Sequence, residues 1–221
     1  GVNELLQQQN IRSDQVSAIG SHGQTIRHHP ESGFSVQIGA PALLAELSGI
    51  DVICDFRNRD LAAGGEGAPL VPAFHAWLLA AQQIRAVVHI GGFANLTLLD
   101  GAHISGFDSG PGNVLLDHWI HQHTGQLFDA DGAWARRGKV IPELLTAMLT
   151  DPYFARSAPK STGREYFHPA WLAQQLRDRH DAPVDVQATL LELTARTIVD
   201  ALDSCQPPAP EIYICGGGVR N

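Results

Sequence analysis

Ile104-Ser105-Gly106-Phe107-Asp108-Ser109-Gly110-Pro111-Gly112-Asn113-Val114-Leu115-Leu116-Asp117 is the stretch on which the reading of this chain turns. Ile104 and Phe107 suit the end of a strand; Gly110, Pro111, Gly112 and Asn113 break it; the apolar run Val114, Leu115, Leu116, Trp119 then starts a helix. Asp108 is therefore expected at a junction, beside a glycine-rich helix entrance. The N–H donors of such an entrance suit an anion, so an acid there can serve as a base acting next to a phosphate. In isolation, an Asp two residues before a Gly more often just caps its turn. The rest of the chain has to decide.

Upstream of this stretch, Ala86 to Ile90 reads as a strand, Gly91 and Gly92 as a tight turn, and Leu96 to Leu99 and His103 to Phe107 as two further strands. Strands followed by a helix in this order form the start of a ribonuclease H-like α/β unit. Downstream, residues 112 to 123, 139 to 150, 169 to 178 and 184 to 204 are expected as helices and Ile212 to Cys215 as a strand. Val186, Leu190, Leu193, Thr194, Thr197, Ile198, Ala201 and Leu202 recur near helical spacing, a stripe assigned to packing rather than chemistry.

The pattern restarts after Gln82-Gln83-Ile84-Arg85, which divides the chain into domains 1–84 and 85–221. In the first, residues 16 to 21 read as a buried strand that delivers His22, Gly23, Gln24 and Thr25 to its carboxyl end, where open α/β sheets place ligand groups. Thr25 to His28 and Phe34 to Ile38 pair across the turn-forming His29-Pro30-Glu31-Ser32-Gly33, Ala40 to Leu47 forms a helix and Ile50 to Cys54 a strand. Asp55, Phe56, Arg57, Asn58, Arg59 and Asp60 follow it; the loop of Gly64, Gly65, Gly67 and Pro69 leads into an apolar helix near Leu70 to Ala80.

With 15 Lys+Arg against 23 Asp+Glu, the net charge of -8 argues against a broad surface for nucleic acid or anionic membrane. Cys54, Cys205 and Cys215 are odd in number and lack metal-type spacing, which fits a reduced, cytoplasmic protein better than a disulfide framework. No apolar run is long enough to span a bilayer, and the start lacks a secretory signal pattern. The chain opens inside a helical pattern (Leu5, Leu6, Ile11) and stops just after a strand, so both ends are expected to be cut.

Three glycine-bearing turns follow strands in the second domain: Gly91-Gly92 with Asn95, Gly106 to Asn113, and Gly216-Gly217-Gly218. Together they suggest backbone N–H groups converging on phosphates; three unrelated tight turns are the alternative. His118, His121 and His123 lie on or just past a helix without a carboxylate at fitted spacing. Asp129, Asp131 and Gly132 lack the remaining ligands of a calcium loop and default to a solvated turn. No protein metal ligand is assigned.

Ser21-His22-Gly23-Gln24-Thr25, Gln37-Ile38-Gly39, Asp55-Phe56-Arg57, Ala62 to Gly65, Gly67 to Pro72, Ile90-Gly91-Gly92 with Asn95, Gly106-Phe107-Asp108 with Gly110 to Asn113, Lys160 to Glu165, and Gly216 to Gly218 with Asn221 occur in this order. The ordered set, running from near residue 16 to the last residue, resembles the anhydro-N-acetylmuramic acid kinase family. The resemblance implies the two-domain α/β fold of sugar kinases, actin and heat-shock chaperone ATPases, with an interdomain cleft where ATP and sugar meet. It implies conversion of 1,6-anhydro-N-acetylmuramic acid and water to N-acetylmuramic acid 6-phosphate with ATP and Mg²⁺, in cell-wall recycling, by a homodimer.

Carried over to this sequence, Asp108 is the base that takes a proton from water. His22, Gln24, Asp55 and Arg57 contact the sugar, while Gly91, Gly92, Asn95, Gly110, Gly112, Asn113, Gly216, Gly217 and Gly218 face the nucleotide. Arg57 either pairs with the sugar's lactyl carboxylate or holds Asp55 or Asp60. Lys160 to Glu165 lacks the setting of a Walker loop and is expected as a mobile loop at the cleft edge. The family's N-terminal phosphate hairpin and the sequence beyond the Gly216 loop are not in this chain, so the fold is expected to be incomplete at both ends. Another sugar kinase or an ATP-dependent protein-modifying enzyme, and from a different class a nucleotide-regulated scaffold, are the alternatives the ordered motifs weigh against.

Overall fold

The computed structural model describes residues 1–79 and 82–221. The chain divides into two compact units, Gly1–Gly67 and Ala68–Asn221. The break falls before the helix Pro72–Leu79, not at 84/85, because that helix packs on strands of the second unit. Its expected last residue, Ala80, lies outside the described residues.

The first unit comprises α1 (Val2–Gln8), β1 (Ile19–Ser21), β2 (Gln24–His29), β3 (Phe34–Ile38), α2 (Pro41–Ser48), β4 (Val52–Cys54) and α3 (Phe56–Ala62). β1 and β4 pair in parallel, with Ser21 opposite Cys54, and β2 and β3 form an antiparallel hairpin. Pro41 opens α2 at a position where no N–H is needed, and Gly49, at φ 66°, closes it in the left-handed conformation. Helix α3 was not anticipated: its run of Arg57, Asn58, Arg59 and Asp60 carries little apolar periodicity. Strand β1 is shorter than residues 16 to 21 because Val16 to Ala18 lie outside the pairing.

The second unit begins with α4 (Pro72–Leu79) and the sheet strands β5 (Arg85–Ile90), β6 (Phe93–Asp100) and β7 (His103–Pro111). There follow α5 (Asn113–Thr124), α6 (Pro142–Leu149), α7 (Pro152–Ala155), α8 (Pro169–Gln175), α9 (Pro183–Asp203) and β8 (Glu211–Cys215). The sheet order is β7-β6-β5-β8, an antiparallel meander with β8 added parallel to β5. This is the strand arrangement expected of a ribonuclease H-like unit.

Strand alternation separates the two faces of this sheet. Ala86, Val88, Leu96, Leu98 and Phe107 point to one face and pack with Ala201 and Cys205 at the end of α9. The intervening residues share the other face: Cys215, His89, Asn95 and Asp108 are successive cross-strand partners, and so are Tyr213, Val87, Thr97 and Gly106. Helix α4 lies on this second face, where buried His75 places Nδ1 2.9 Å from Thr97 Oγ1. A further core joins the helices, with Leu115, Leu116, Leu144, Met148, Phe167, Leu172, Leu190 and Leu193 all buried.

One expectation about the opening stretch is corrected. Strand β7 does not end at Phe107 but carries Asp108, Ser109 and Gly110 through to Pro111, with a bulge opposite Ala94 and Asn95. Proline at the last residue of an edge strand removes no ladder bond, so Gly-Pro is tolerated here. Asp108 therefore sits inside a strand, 5% exposed, rather than at a strand end.

Candidate active site

In the first unit, the parallel pairing of β1 with β4 brings His22 and Asp55, the residues that follow each strand, side by side. Both line a cavity of about 320 Å³ together with Ser21, Gln37, Gly39 and Asn58. Asp55 begins α3 from the left-handed region, at φ 60°, and its Oδ1 accepts from Asn58 Nδ2 at 2.7 Å. Arg57 Nε donates to His22 Nε2 at 2.9 Å, and Arg57 Nη1 donates to the Gly67 carbonyl at 2.6 Å. His22 Nε2 is then an acceptor, so the proton of the neutral ring sits on Nδ1 and is donated to the Gly23 carbonyl, 2.7 Å away. The arginine thus fixes the tautomer of the histidine.

Three of the four expected sugar residues, His22, Asp55 and Arg57, are brought together in this way. Gln24 is not among the residues lining the cavity; its Nε2 turns to the Thr25 carbonyl at 3.4 Å. Gln37 and Asn58, by contrast, were not singled out as contacts. Gln37 stands in one of the ordered motifs, which is the signal that marks it, whereas Asn58 has no such signal.

In the second unit, Asp108 is gripped at three points by one segment of chain. Its N–H donates to the Lys160 carbonyl at 3.0 Å, its C=O accepts from the Tyr153 hydroxyl at 2.7 Å, and its Oδ2 accepts from the Thr162 N–H at 2.9 Å. The backbone groups of Asp108 thus point away from β6, so Asp108 and Asn95 form a non-hydrogen-bonded cross-strand pair, the kind whose side chains stand closest. The Thr162 N–H thus fixes the direction of the carboxylate, while Lys160 and Tyr153 hold the backbone that carries it.

The gripping segment is itself held. Asp151 accepts from Tyr153 N, Tyr166 Oη and Trp171 Nε1 at 2.9, 2.6 and 2.8 Å. Burial, with Asp151 beside it, pushes the Tyr166 hydroxyl up to about 12. Lys160 is buried, its Nζ 3.3 Å from the carbonyls of Tyr153 and Phe154 and 4.9 Å from the centre of the Tyr153 ring. That burial, reinforced by Arg156, lowers its pKa. Lys160 and Ser161 are thus not part of a loose edge loop: their surroundings tie them beneath the candidate base.

The glycine turns are brought together, but not all as anion donors. The N–H groups of Gly112, Asn113 and Val114 donate to the carbonyls of Gly92, Gly91 and Gly92 at 2.9, 2.9 and 3.0 Å, so the entrance to α5 is closed onto the β5–β6 turn. A Cβ at Gly112 would stand 2.4 Å from the Gly91 carbonyl oxygen, which accounts for that glycine by packing. Gly110 is buried against Phe154 and Thr197 for the same reason. Gly92, Gly216 and Gly217 are exposed, and the Gly216–Gly218 turn rests on Ile90 and Asn113.

Asn221 Nδ2 donates to Asn113 Oδ1 at 3.0 Å and to Asp117 Oδ1 at 3.4 Å. The Asp117 carboxyl is raised by burial, partly offset by Asn221. Thr194, assigned from sequence to packing, donates its hydroxyl to the carbonyls of Pro111 and Gly112 at 3.1 and 3.2 Å and so fastens α9 to this turn.

Asp129 is not a solvated turn residue: it is 2% exposed, and its carboxylate accepts from Trp134 N and Ala135 N at 2.8 Å each. Among the described residues no group of three His, Cys, Asp or Glu is placed to hold a metal ion. The cysteines are all free, and no described helix is long and apolar enough to cross a membrane. A larger cavity, about 670 Å³, lies on the α9 face of β7 against Phe107 and Ser109, opposite the face that carries Asp108. This cavity is therefore not where the candidate base points.

The family model described as anhydro-N-acetylmuramic acid kinase matches residues 1–221. Proteins of that description from Pseudomonas paraeruginosa (strain DSM 24068 / PA7) and Pseudomonas fluorescens (strain Pf0-1) are 58% and 56% identical to the whole of this chain, which covers 61% and 62% of their length. One from Bordetella petrii is 55% identical, again over the whole chain and 60% of its own length. The chain spans about three fifths of the relatives it matches. With a matching model over its full length and identities above one half, the chain belongs to the anhydro-N-acetylmuramic acid kinase family.

Proposed function

We propose that the protein to which this chain belongs is an ATP-dependent sugar kinase that converts 1,6-anhydro-N-acetylmuramic acid and water to N-acetylmuramic acid 6-phosphate. It opens the anhydro bridge while phosphorylating oxygen 6, in the recycling of cell-wall sugar in the cytoplasm, and works as a homodimer. Family membership supports the reaction class, and the single observation that carries the assignment of the base is the three-point grip on buried Asp108.

The bridge oxygen has no proton to give up, so base catalysis belongs at the attacking water. Asp108 takes one proton of that water as the oxygen bonds to the anomeric carbon; the bridge electrons pass to oxygen 6, which accepts the γ-phosphoryl group. The proton then leaves Asp108 for solvent. His22, Asp55, Arg57 and Gln24 hold the sugar, with the Arg57 guanidinium suited to its lactyl carboxylate. The exposed glycines Gly92, Gly216 and Gly217, with Gly91 and Gly218, let phosphate approach the main chain, while Gly110, Gly112 and Asn113 keep the turn beneath them in shape.

Phosphoryl transfer needs charge neutralisation, which Mg²⁺ supplies when bound. No step above is assigned to it.

The test is mass spectrometry of the products from anhydro-sugar and ATP in ¹⁸O-water, sampled early, with this chain and with a longer polypeptide containing it. Label at the anomeric hydroxyl and phosphate on oxygen 6 support the reading. ATP consumption without sugar dependence, or a turnover unchanged by Asp108→Asn, would rule it out.

A further inference from the structure

We propose that Asn95 and Thr162 seat the attacking water on Asp108, a role distinct from the phosphate contact that the sequence suggested for Asn95. The inference rests on the reading of Asp108 as the base. Asn95 stands directly opposite Asp108 across the β6–β7 ladder, on the same face, in a pair whose side chains are at their closest. Thr162 is joined to the same carboxylate through its N–H, 2.9 Å from Oδ2, so its hydroxyl is held in the immediate neighbourhood by covalent geometry.

Both side chains carry a buried oxygen, Asn95 Oδ1 and Thr162 Oγ1, with no hydrogen-bond partner among the described residues. The other such atom, Gln187 Oε1, lies away from Asp108 in the helical core near Asp129. Buried oxygens are nearly always hydrogen-bonded, so orphans on two residues that are each placed against the same carboxylate, one through the ladder and one through its N–H, need an explanation.

Their chemistry matches one water molecule. Water donates two hydrogen bonds and accepts two. One donated bond goes to the Asp108 carboxylate and one to Asn95 Oδ1; the Thr162 hydroxyl donates to one lone pair, and the remaining lone pair is left for the anomeric carbon. When that carbon–oxygen bond forms, the proton facing Asp108 transfers to the carboxylate, and the one facing Asn95 stays on the new anomeric hydroxyl. The electrons of the broken bridge bond leave on oxygen 6, as in the overall reaction. Packing alone would favour apolar side chains of the same shape at both positions, because an unmet buried oxygen is unfavourable.

The experiment compares Thr162→Val, Thr162→Ser and Asn95→Leu with Asp108→Asn in an enzymatically active polypeptide containing these residues, reading kcat, both KM values, the pH profile and Tm. Thr162→Val and Asn95→Leu are expected to lower kcat by about tenfold or more, the worth of one positioned hydrogen bond. Both KM values should stay within about twofold and Tm should be unchanged or higher, since an orphan is removed. The acid limb of the pH profile should not move, because the base itself is intact, and Thr162→Ser should restore most of the rate.

Normal kcat in both apolar variants, with Asp108→Asn inactive, overturns the water seat and leaves the base standing. A fall in Tm that parallels the loss of rate, or no rescue by serine, also overturns it, since that would mark a structural role. Full activity in Asp108→Asn would remove the base and the water seat together.

Discussion

Replacing Tyr153 with phenylalanine removes one of the bonds that hold Asp108. The Tyr153 hydroxyl donates to the Asp108 carbonyl at 2.7 Å, and the residue is 1% exposed. Its ring contacts survive the change: Phe154 and Phe167 lie edge-on at centroid distances of 5.8 and 5.3 Å, and the Lys160 ammonium stays over the ring face. What is lost is the bond from the Tyr153 hydroxyl to the carbonyl of a residue only 5% exposed. Leaving such an acceptor unsatisfied costs about 1–3 kcal/mol, a sizeable share of the roughly 5–15 kcal/mol that separates folded from unfolded domains.

The assay is urea unfolding followed by tryptophan fluorescence, because the tryptophans, Trp77, Trp119, Trp134 and Trp171, all belong to the second unit and report on it alone. A lower midpoint with an unchanged slope is expected, and in thermal melts a drop of about 2–4 °C per kcal/mol for a domain of this size. A loss below about 0.5 kcal/mol, within the scatter of ordinary surface changes, would mean that the carbonyl does not depend on Tyr153. The description of Asp108 as clamped would then fail.

Two glycines of neighbouring turns should differ in their response to alanine. At Gly112 the added Cβ meets the Gly91 carbonyl oxygen at 2.4 Å, a backbone atom that cannot rotate away, so Gly112→Ala should destabilise the second unit by more than about 1 kcal/mol in the same urea assay. At exposed Gly92 the nearest atom is Val114 Cβ at 3.9 Å, and Gly92→Ala should fall within about 0.5 kcal/mol of the parent.

His75 is held below its ordinary pKa of 6.5 by burial and by the neighbouring His89. Its folded form is therefore the neutral one, and the unfolded chain binds the extra proton. Its contribution to stability is complete above the unfolded value and is lost as pH falls below 6.5 through the lowered folded value. His75→Gln should flatten that part of the stability–pH curve; an unchanged curve would refute the assignment.

What could be read from the sequence was local, and what could not was a matter of register. The hairpin of β2 and β3, the helix α2 and the long stripe of α9 follow from turn residues and periodicity within their own segments, and each lies within a few residues of its expected place. Asp108 was singled out by the glycines after it, yet Gly110 and Gly112 serve packing against Phe154 and the Gly91 carbonyl, and Asp108 itself sits inside the strand.

The groups that aim the carboxylate, Tyr153, Lys160 and Thr162, come from a segment more than forty residues further along. No periodicity in that segment marks it, for it holds one short helix and otherwise irregular chain, stabilised by Asp151 and by buried aromatic rings. Asn95 illustrates the same point at shorter range: its sequence neighbours are the glycines of a turn, but its spatial neighbour is Asp108, because the β6–β7 register sets the two opposite each other. A shift of one residue exchanges the faces of a strand. Asn95 and Asp108 keep the register of the pairs that precede them, Leu96 with Phe107 and Thr97 with Gly106, and the bulge falls just beyond, so the pairing of carboxamide with carboxylate follows from the register of the β6–β7 hairpin, not from the helix entrance that comes after it.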